Sequence, residues 1–279
     1  MNILTYSPQD FITEICKEEG IQLSILSEGY ICRLTKDGHT RHVMWSNWDI
    51  NPATADRIAC DKAASYIVLS ESNVPAIPHF IINHPHRRRG WTGAHGAWSQ
   101  ALALFEKYKK VVVKPNNGTN GNDVYLCTTV QELEGAVHAI FETCPAIAIS
   151  PYFDIVTEYR VFYINGNCPL VYGKKPAEGN WQHNLNQGAT AFLLEPTDPR
   201  IPEIKKIAQA AAQAININFA TIDVTLAADG AYRVMEINSG VQARQLVAQH
   251  PEVQPVVKDI YKQAVLGMFG ILQKSQNCS

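Results

Sequence analysis

Three Asx-Gly dipeptides, each between two runs of strand-forming residues, constrain the fold of this chain most strongly. They are Asp37-Gly38, Asn165-Gly166 and Asp229-Gly230. Asp-Gly and Asn-Gly readily take the positive φ that a two-residue hairpin turn requires, so each dipeptide predicts a pair of antiparallel strands. The flanking runs are residues 30–34 and 41–45, 157–164 and 168–173, and 221–226 and 232–237.

Helical segments separate these hairpins. Helices are predicted at residues 8–19, 54–72, 97–108, 130–141, 201–215 and 255–272, and apolar residues recur at helical spacing within 54–72 and 201–215. A run dense in β-branched residues at 110–114 and an apolar run at 146–150 predict further strands. Hairpins with helices interposed indicate packed α+β layers rather than one doubly wound parallel sheet.

Composition and charge narrow the class of function. The chain has 279 residues, a net charge of −2 and a sequence pI near 6.5, which gives no indication of a nucleic-acid or anionic-membrane partner. Seven scattered cysteines without a CxxC pair argue against a disulfide framework and a zinc site. The sequence opens on no signal-like segment, and no apolar run is long enough to span a bilayer. We therefore expect a cytoplasmic protein with no nucleic-acid or membrane partner.

A lysine at the end of a buried strand, followed by a glycine-rich loop, is the first candidate for chemistry. Lys114 ends the β-branched run, and residues 115–123 read PNNGTNGND. Gly118 and Gly121 allow backbone N–H groups to approach an anion, and lysine binds phosphate as a compact point charge. The loop is not a Walker A loop, because no Gly-Lys-Ser/Thr closes it. On these residues alone, a polar hairpin with a surface lysine is an equal alternative.

Acidic and amide side chains on two later strands form the second candidate. Glu236 and Asn238 are two residues apart in one predicted strand, so they point to the same face. If the turn at residues 229–230 pairs that strand with the one carrying Asp223, three oxygen ligands converge. Mg²⁺ takes a few such oxygens from a protein and the rest from water and phosphates. A solvated hairpin face is the alternative, and it fits poorly because the intervening residues are apolar.

Taken in order, these motifs resemble the ATP-grasp superfamily, most closely its amino-acid ligase branch. That branch includes ribosomal-protein glutamate ligases, glutathione synthetases and D-alanine–D-alanine ligases. The likeness covers about residues 50–250 and consists of five ordered matches. They are Asn51-Pro52 with Asp61-Lys62, Lys114 with its GTNG loop, Glu158-Tyr159-Arg160, the segment from Gly179 through Asn184 to Gly188, and Asp223 with Glu236-x-Asn238.

The resemblance implies the ATP-grasp fold, in which two α+β subdomains grip ATP after a short N-terminal α/β unit. In this chain the N-terminal unit would span residues 1–58, the central subdomain with the phosphate lid 59–148, and the C-terminal subdomain with the metal site 149–279. The implied cofactors are ATP and Mg²⁺, with Mn²⁺ as a substitute ion. The implied reaction joins a small-molecule carboxylate to an amine, on an amino acid or short peptide, through an acyl phosphate.

The resemblance also implies a role for each matched residue. Residues 118–121 would form the lid, residues 151–153 the hinge that meets adenine, and Glu158 would accept from the ribose hydroxyls. Arg160 and Lys174 would act on the transferred phosphoryl group, and Arg244 would recognise a substrate carboxylate. The ATP-binding set would be Lys62, Lys114, Gly118, Thr119, Asn120, Gly121, Pro151, Tyr152, Phe153, Glu158 and Asn184. The metal ligands would be Asp223, Glu236 and Asn238.

Three positions depart from the family pattern. Pro151 stands where the hinge usually carries glutamate, so the adenine contact there is either made by backbone only or made differently. Asp123 stands where the lid often ends in glycine, which leaves the path of the lid open. Lys174 stands where the closest branch has arginine, so a point charge replaces a bidentate fork.

Several alternatives stay open. The same residues suit a kinase, a thioester-forming ligase, or an ATP-binding module without catalysis, although the intact lysines and metal ligands weigh against the last. The basic loop at residues 84–96 is either solvated or a clamp on an acidic substrate. Trp45, Trp48, Trp181 and His183 occupy either pocket-lining or purely structural positions. The sequence leaves the substrates undetermined and a homodimer open.

Overall fold

The structure of the protein is a computed structural model that describes residues 7–87, 96–118 and 121–271. Residues 2–5, whose sequence also predicts a strand, lie outside the described residues, as do the lid residues Thr119 and Asn120 and most of the basic loop. The α-helices of the described part are α1 Pro8–Glu18, α2 Ala53–Ala59, α3 Lys62–Glu71, α4 Gly96–Tyr108, α5 Val130–Thr143, α6 Ile201–Ile215, α7 Arg244–Gln249 and α8 Gln254–Met268.

The strands of the described part form three sheets in which every pair is antiparallel. The N-terminal sheet has the order β1-β2-β3-β4, the central sheet β5-β8-β6-β7, and the C-terminal sheet β11-β10-β9-β12-β13. The strands are β1 Gln22–Leu26, β2 Ile31–Lys36, β3 His39–Met44, β4 Asn47–Trp48, β5 Phe80–Asn83, β6 Val111–Pro115, β7 Tyr125–Cys127, β8 Ala146–Pro151, β9 Ile155–Ile164, β10 Asn167–Lys175, β11 Thr190–Leu193, β12 Phe219–Ala227 and β13 Tyr232–Asn238.

The three predicted hairpins are present, and the α+β prediction is confirmed. Asp37 and Gly38 both have positive φ, of 50° and 78°, between β2 and β3. Asn165 and Gly166 connect β9 to β10 in the same way, with φ of 44° and 89°. Gly230, with φ of 78°, lies in the turn between β12 and β13.

The prediction of a single helix over residues 54–72 is wrong, because the helix is interrupted at Cys60 and Asp61, which separate α2 from α3. Asp61 is extended, and its side chain accepts a hydrogen bond from the backbone N–H of Ala64 at 2.8 Å. An aspartate offers the backbone this capping bond in competition with continued helix, so a new helix begins at Lys62. Three short elements, β4, β11 and α7, were not predicted at all.

Each face of the C-terminal sheet has a distinct neighbour. One face packs against α6, and Val161 and Ile222 on the sheet meet Ile204 on the helix in a fully buried cluster. The opposite face is apolar at one end, where Phe162 and Phe219 share a core with the N-terminal sheet, α1 and α8. The rest of that face carries polar residues that open towards the central sheet.

The central sheet has a similar division. Val111, Val113, Ile147 and Ile149 pack on α4 and α5. Side chains alternate along a strand, so Lys114, which follows Val113 on β6, faces the opposite side of the sheet. The two sheets are connected by the 151–154 segment and by a parallel bridge in which the N–H of Ile77 donates to the carbonyl of Val234 at 2.8 Å. A cleft therefore lies between a face carrying Lys114 and a polar face of the C-terminal sheet.

In the part of the chain that the structure describes, every helix is too short or too polar to cross a membrane.

Candidate active site

Strand register brings the charged residues of the C-terminal sheet onto one face. Asp223 on β12 lies directly opposite Arg160 on β9 and opposite Glu236 on β13. Lys174 on β10 lies opposite Glu158 on β9. Residues directly opposite in antiparallel strands project to the same side, so these five side chains form one group. The predicted pairing of the Asp223 strand with the Glu236 strand is present in this register.

Asp223 is the centre of the group and is buried. Arg160 donates from Nε to Oδ1 at 2.8 Å and from Nη2 to Oδ2 at 2.7 Å, a bidentate pair. Lys174 donates from Nζ to Asp223 Oδ1 at 2.9 Å and also to Glu158. The amide nitrogen of Asn238 lies 3.4 Å from Asp223 Oδ2. Both carboxylate oxygens of Asp223 therefore already have two donors each.

The electrostatics of this group keep Asp223 and Lys174 charged. Burial favours the neutral acid, but Arg160 and Lys174 outweigh it and hold the pKa of Asp223 well below its usual range. Burial and Arg160 lower the pKa of Lys174, but Asp223 and Glu158 together raise it above its ordinary value. Burial raises the pKa of Glu158 despite the adjacent Lys174, and the nearby charge of Asp223 contributes in the same direction.

The donor chemistry fits a magnesium ion. Asp223, Glu236 and Asn238 supply two carboxylates and an amide, all hard oxygen ligands, from adjacent strands on one face. The amide orientation of Asn238 follows from its hydrogen bond, and the other orientation presents its oxygen. Among the described residues no group of three or more His, Cys, Asp or Glu could hold a metal. A site here would therefore take its remaining ligands from water and phosphate.

The opposite wall of the cleft carries two lysines. Asp61 starts α3, which places Lys62 at its first residue, and Lys62 Nζ donates to the carbonyl of Gly118 at 2.6 Å. Lys62 Nζ also lies 3.4 Å from Oε1 of Glu236, across the cleft. Lys114 is buried on β6. Burial lowers the pKa of Lys114 to about 8, against the effect of Glu236 and with a further lowering by Lys62.

Asn116, which is not among the predicted site residues, connects the two lysines. Its carbonyl accepts from the N–H of Lys62 at 3.2 Å, and its Oδ1 accepts from the N–H of Ala63, also at 3.2 Å. These bonds satisfy two N–H groups at the start of α3 that have no partner within the helix. No local pattern could have revealed this role, because Asn116 lies 53 residues after its partner Ala63.

The described end of the lid is held by the loop between β10 and β11, residues 176–189. Gln187 donates from Nε2 to the carbonyl of Gly121 at 3.0 Å. Asn184 Nδ2 lies so close to Gly121 that a Cβ there would be 2.8 Å from it. The same loop reaches the hinge, where the ring of Trp181 lies 6.3 Å from that of Tyr152. We call residues 176–189 the strap, because they contact both the lid and the hinge.

The hinge residues offer few free backbone N–H groups for the predicted adenine contact. Proline has no N–H, so Pro151 offers no donor. The N–H of Tyr152 donates to the carbonyl of Lys110 at 3.0 Å, and the Lys110 ammonium lies 3.6 Å from the centre of the Tyr152 ring. The Phe153 ring stacks with the guanidinium of Arg233, 4.8 Å away. Two of the three hinge positions therefore have no free N–H.

Other predicted residues lie outside the charged group. Arg244 begins α7 and is exposed. Arg87, in the basic loop, donates to the carbonyls of Glu142 and Thr143 at the end of α5, so it caps a helix. Trp48 is buried in the core with Phe219, whereas Trp45 is exposed. His183 is buried in the strap, and burial, together with Lys174, lowers its pKa.

Comparison with known families decides the assignment of the fold. The sequence model described as "RimK-like ATP-grasp domain" matches residues 59–251, well over half of the chain. The chain belongs to the RimK-like ATP-grasp family. The resemblance drawn from the five motifs is thereby confirmed, and so is the ATP-grasp fold.

Several curated relatives of this ATP-grasp chain are described as probable alpha-L-glutamate ligases. A probable alpha-L-glutamate ligase from Aliivibrio salmonicida is 33% identical over 131 residues, which cover 46% of this chain and 42% of the relative. A protein of the same description from Marinomonas sp. is 26% identical over 160 residues, 56% of this chain and 52% of the relative. The chain thus spans about half the length of the curated relatives it matches.

Solved ATP-grasp structures extend the likeness to the whole chain. The match to D-alanyl-alanine synthetase A from Vibrio cholerae covers 94% of this chain and 93% of that one, with a TM-score of 0.67 at 13% identity. A D-alanine–D-alanine ligase from Bacillus anthracis complexed with ATP gives a TM-score of 0.60 at 17% identity, covering 79% of this chain and 68% of that one. Identities this low show the fold alone.

Proposed function

We propose that this ATP-grasp protein is an ATP- and Mg²⁺-dependent ligase that activates a carboxylate as an acyl phosphate and joins it to an amine, releasing ADP. One observation carries the proposal. An ionic group of four residues spans three adjacent strands and faces Lys62 and Lys114 across the cleft. It consists of Asp223, Glu158 and Lys174, which are buried, and Arg160, whose side chain is 25% exposed. These charges pair with one another, but Lys62 and Lys114 add two further cations on the facing wall, which supports a negatively charged ligand between the two walls.

Each wall of the cleft has a role in this proposal. Lys62 and Lys114 would bind the phosphates, and the lid at residues 118–121 would cover them. Asp223, Glu236 and Asn238 would hold Mg²⁺, which when bound neutralises phosphate charge. Arg160 and Lys174 would stabilise the negative charge that spreads over the oxygens of the transferred phosphoryl group.

Physical chemistry favours activation before amide formation. A carboxylate and a triphosphate repel each other, so cations around the γ-phosphate must offset that repulsion before they can react. The acyl phosphate formed would be hydrolysed if water reached it. A lid held down by the strap, through Gln187, would exclude water until the amine attacks. This sequence needs no nucleophilic side chain.

The substrates would be an amino acid or short peptide and a small carboxylate or amine partner. The names of the relatives make L-glutamate the first candidate. Arg244, exposed at the start of α7 a few residues after Asn238, remains our proposed contact for a substrate carboxylate. We further expect a cytoplasmic protein, with a homodimer as the assembly to check by light scattering.

The test is ADP release with Mg²⁺ and ATP across a matrix of amino acids and dipeptides, with L-glutamate in every row. A ligase needs two substrates, whereas a kinase needs one acceptor and a thioester-forming ligase needs a thiol. Glu236→Ala should abolish turnover, while Glu203→Ala, exposed on α6, should leave it unchanged. Turnover that survives Glu236→Ala would contradict the proposed metal site. ATP binding without turnover for any pair would favour the non-catalytic alternative.

A further inference from the structure

Both carboxylates of the proposed metal site are already paired with cations of the cleft. Arg160 donates two hydrogen bonds to Asp223, at 2.8 and 2.7 Å, and Lys174 donates a third at 2.9 Å. The ammonium of Lys62 lies 3.4 Å from the carboxylate of Glu236. We call Arg160, Lys174 and Lys62 the closing cations, because they engage the side chains that are proposed to hold Mg²⁺.

The ion pairs around Asp223 are largely shielded from water. The side chains of Asp223 and Lys174 are buried, and a quarter of the Arg160 side chain is exposed. Arg160 and Lys174 together hold the pKa of Asp223 well below its usual range, so the carboxylate stays charged and paired. Buried pairs are screened much less by salt than exposed ones. A divalent cation that arrives alone therefore has to displace these donors at close range.

The charges that face one another across the cleft also have a net positive sum. Among the described residues three carboxylates meet four cations, namely Asp223, Glu158 and Glu236 with Arg160, Lys174, Lys62 and Lys114. Lys114 has a pKa lowered to about 8 and is still charged at neutral pH. A free divalent cation is repelled by such a group, whereas a polyphosphate anion is attracted.

An anion can reverse this balance through the same side chains. Phosphate oxygens accept hydrogen bonds from arginine and lysine as carboxylate oxygens do, and a triphosphate carries more negative charge than any one carboxylate. The closing cations can therefore transfer hydrogen bonds from Asp223 and Glu236 to phosphate. Each transfer frees a carboxylate oxygen and offsets the excess of positive charge. Because the two ligands share these cations, each raises the affinity for the other by the same factor.

We propose that the closing cations keep the metal site shut in the nucleotide-free protein and that a polyphosphate anion opens it. The protein therefore binds metal-free ATP, but it takes up little divalent cation until phosphate is present. The closing cations are thus positioning residues for the metal ligands, in addition to their proposed contacts with phosphate. This inference rests on the proposed function, since it takes the cleft to be the site of ATP and Mg²⁺.

The experiment measures the binding of Mn²⁺ alone to nucleotide-free protein, from the electron paramagnetic resonance signal of the free ion. Lys62→Met removes the cation beside Glu236 and should tighten Mn²⁺ binding by at least about fivefold, the effect of one unit charge about 4 Å away even in bulk water. The same variant should weaken the binding of ATP in EDTA, measured by calorimetry. A shared cation predicts these opposite changes, whereas a merely structural role of Lys62 would weaken both.

Three further variants show where the effect arises. Lys62→Arg keeps the charge and should bind Mn²⁺ as weakly as wild type. Adding Glu236→Ala to Lys62→Met should abolish the gain in Mn²⁺ affinity. Lys258→Met is the matched control outside the cleft, because Lys258 also pairs with two carboxylates, those of Glu14 and Glu18, at the surface. It should leave Mn²⁺ binding unchanged.

The outcomes separate this inference from the proposed function. A folded Lys62→Met variant that binds Mn²⁺ no more tightly than wild type overturns the inference, and so does a gain that Lys258→Met shares. If the melting temperature shows that Lys62→Met is unfolded, Arg160→Gln, which releases Asp223, takes its place with the same expectation. Wild-type protein that binds ATP with Mg²⁺ but not in EDTA also overturns it. Wild-type protein that binds no nucleotide under either condition would instead refute the proposed function.

Discussion

Asp223 shows how single side chains set the chemistry of this cleft. Its two oxygens accept from Arg160, Lys174 and Asn238, and little of the residue is exposed. A carboxylate has about four lone-pair positions, and here all four are used. Holding Mg²⁺ at Asp223 therefore requires at least one of these donors to turn away. Asn238 is the weakest of them, since its contact is the longest.

Replacing Asp223 by Asn should be strongly destabilising. The change leaves the buried Lys174 and the largely buried Arg160 with Glu158 as their single carboxylate, and breaking a buried ion pair from one side costs about 3–5 kcal/mol. Asp229→Asn is the matched control, because Asp229 also forms a bidentate pair with an arginine, Arg233, but at the surface. Exposed pairs contribute little, so this control should unfold like wild type. Urea unfolding measures the free energy of unfolding of both variants. An equal loss in the two variants would contradict the burial of Asp223.

Lys114 predicts a pH dependence of nucleotide binding. Burial lowers its pKa to about 8, so it is charged below that pH and neutral above it. If Lys114 binds phosphate, ATP affinity should be full below pH 8 and fall as pH rises past it, by at most about tenfold per pH unit. Calorimetric titrations from pH 7 to 9.5 test this, and Lys114→Arg, which keeps its charge over that range, should show little change.

The same pKa predicts the opposite trend for stability. Between pH 8 and the ordinary lysine value of 10.5, the unfolded chain binds more protons than the folded protein at this residue. The free energy of unfolding without nucleotide should therefore receive a rising contribution from Lys114 through that window. Lys114→Met should lack this rising contribution to the free energy of unfolding. A stability profile identical in wild type and Lys114→Met would show that the lysine is not buried in solution.

At the scale of elements, the strap links the lid to the hinge. It extends from β10 of the C-terminal sheet and contacts the lid of the central sheet through Gln187 and Asn184. Its Trp181 meets the hinge residue Tyr152. A loop with contacts at both ends of a ligand cleft couples the position of the lid to that of the hinge.

Gly121→Ala should weaken ATP binding by separating lid and strap. Gly121 has φ of +68°, and an added Cβ would lie 2.8 Å from Asn184 Nδ2 and 3.1 Å from Gln187 Nε2. Gly230→Ala is the control, since Gly230 has φ of +78° and open space around it. Both changes cost about 1 kcal/mol of backbone strain, so the difference between the two variants isolates the effect of the contact between lid and strap. ATP affinity about 3- to 10-fold lower in Gly121→Ala alone is expected from a lost lid contact.

At the scale of the whole molecule, the N-terminal sheet does not form a core of its own. Trp48 stacks on Tyr261 of α8, with ring centroids 5.4 Å apart, and meets Phe219 of β12 edge-on. Asn51 adds a polar contact, accepting from the N–H of Phe219 at 2.8 Å. The predicted boundary at residue 58 stays a prediction, but residues on both sides of it share one apolar cluster.

Trp48→Ala should therefore destabilise the whole protein. Truncating a large buried aromatic residue costs about 3–5 kcal/mol, and the loss should appear in one cooperative transition because the core is shared. Trp45→Ala is the control three residues away, where 69% of the side chain is exposed against 4% for Trp48. Its effect should stay within about 0.5 kcal/mol. Two separate transitions in Trp48→Ala would show that the N-terminal unit folds independently.

Local sequence signals determined the hairpins, the α+β class and the order of the site motifs. Asx-Gly turns and β-branched runs act over a few residues, so the antiparallel strands around residues 37–38, 165–166 and 229–230 could be predicted. Strand alternation likewise placed Glu236 and Asn238 on one face. The break before Lys62 was missed because the capping preference of Asp61 competes with a continuous apolar helical pattern.

Only the tertiary structure decided which distant residues meet. Asp223 is 63 residues from Arg160 and 49 from Lys174, and these partners follow from the register of β9, β10 and β12. Register depends on the packing of entire faces against α6 and the N-terminal sheet, which no short motif encodes. The sequence alone thus determined the family and the kinds of ligand, whereas long-range packing decided the pairing, the burial and the charge states.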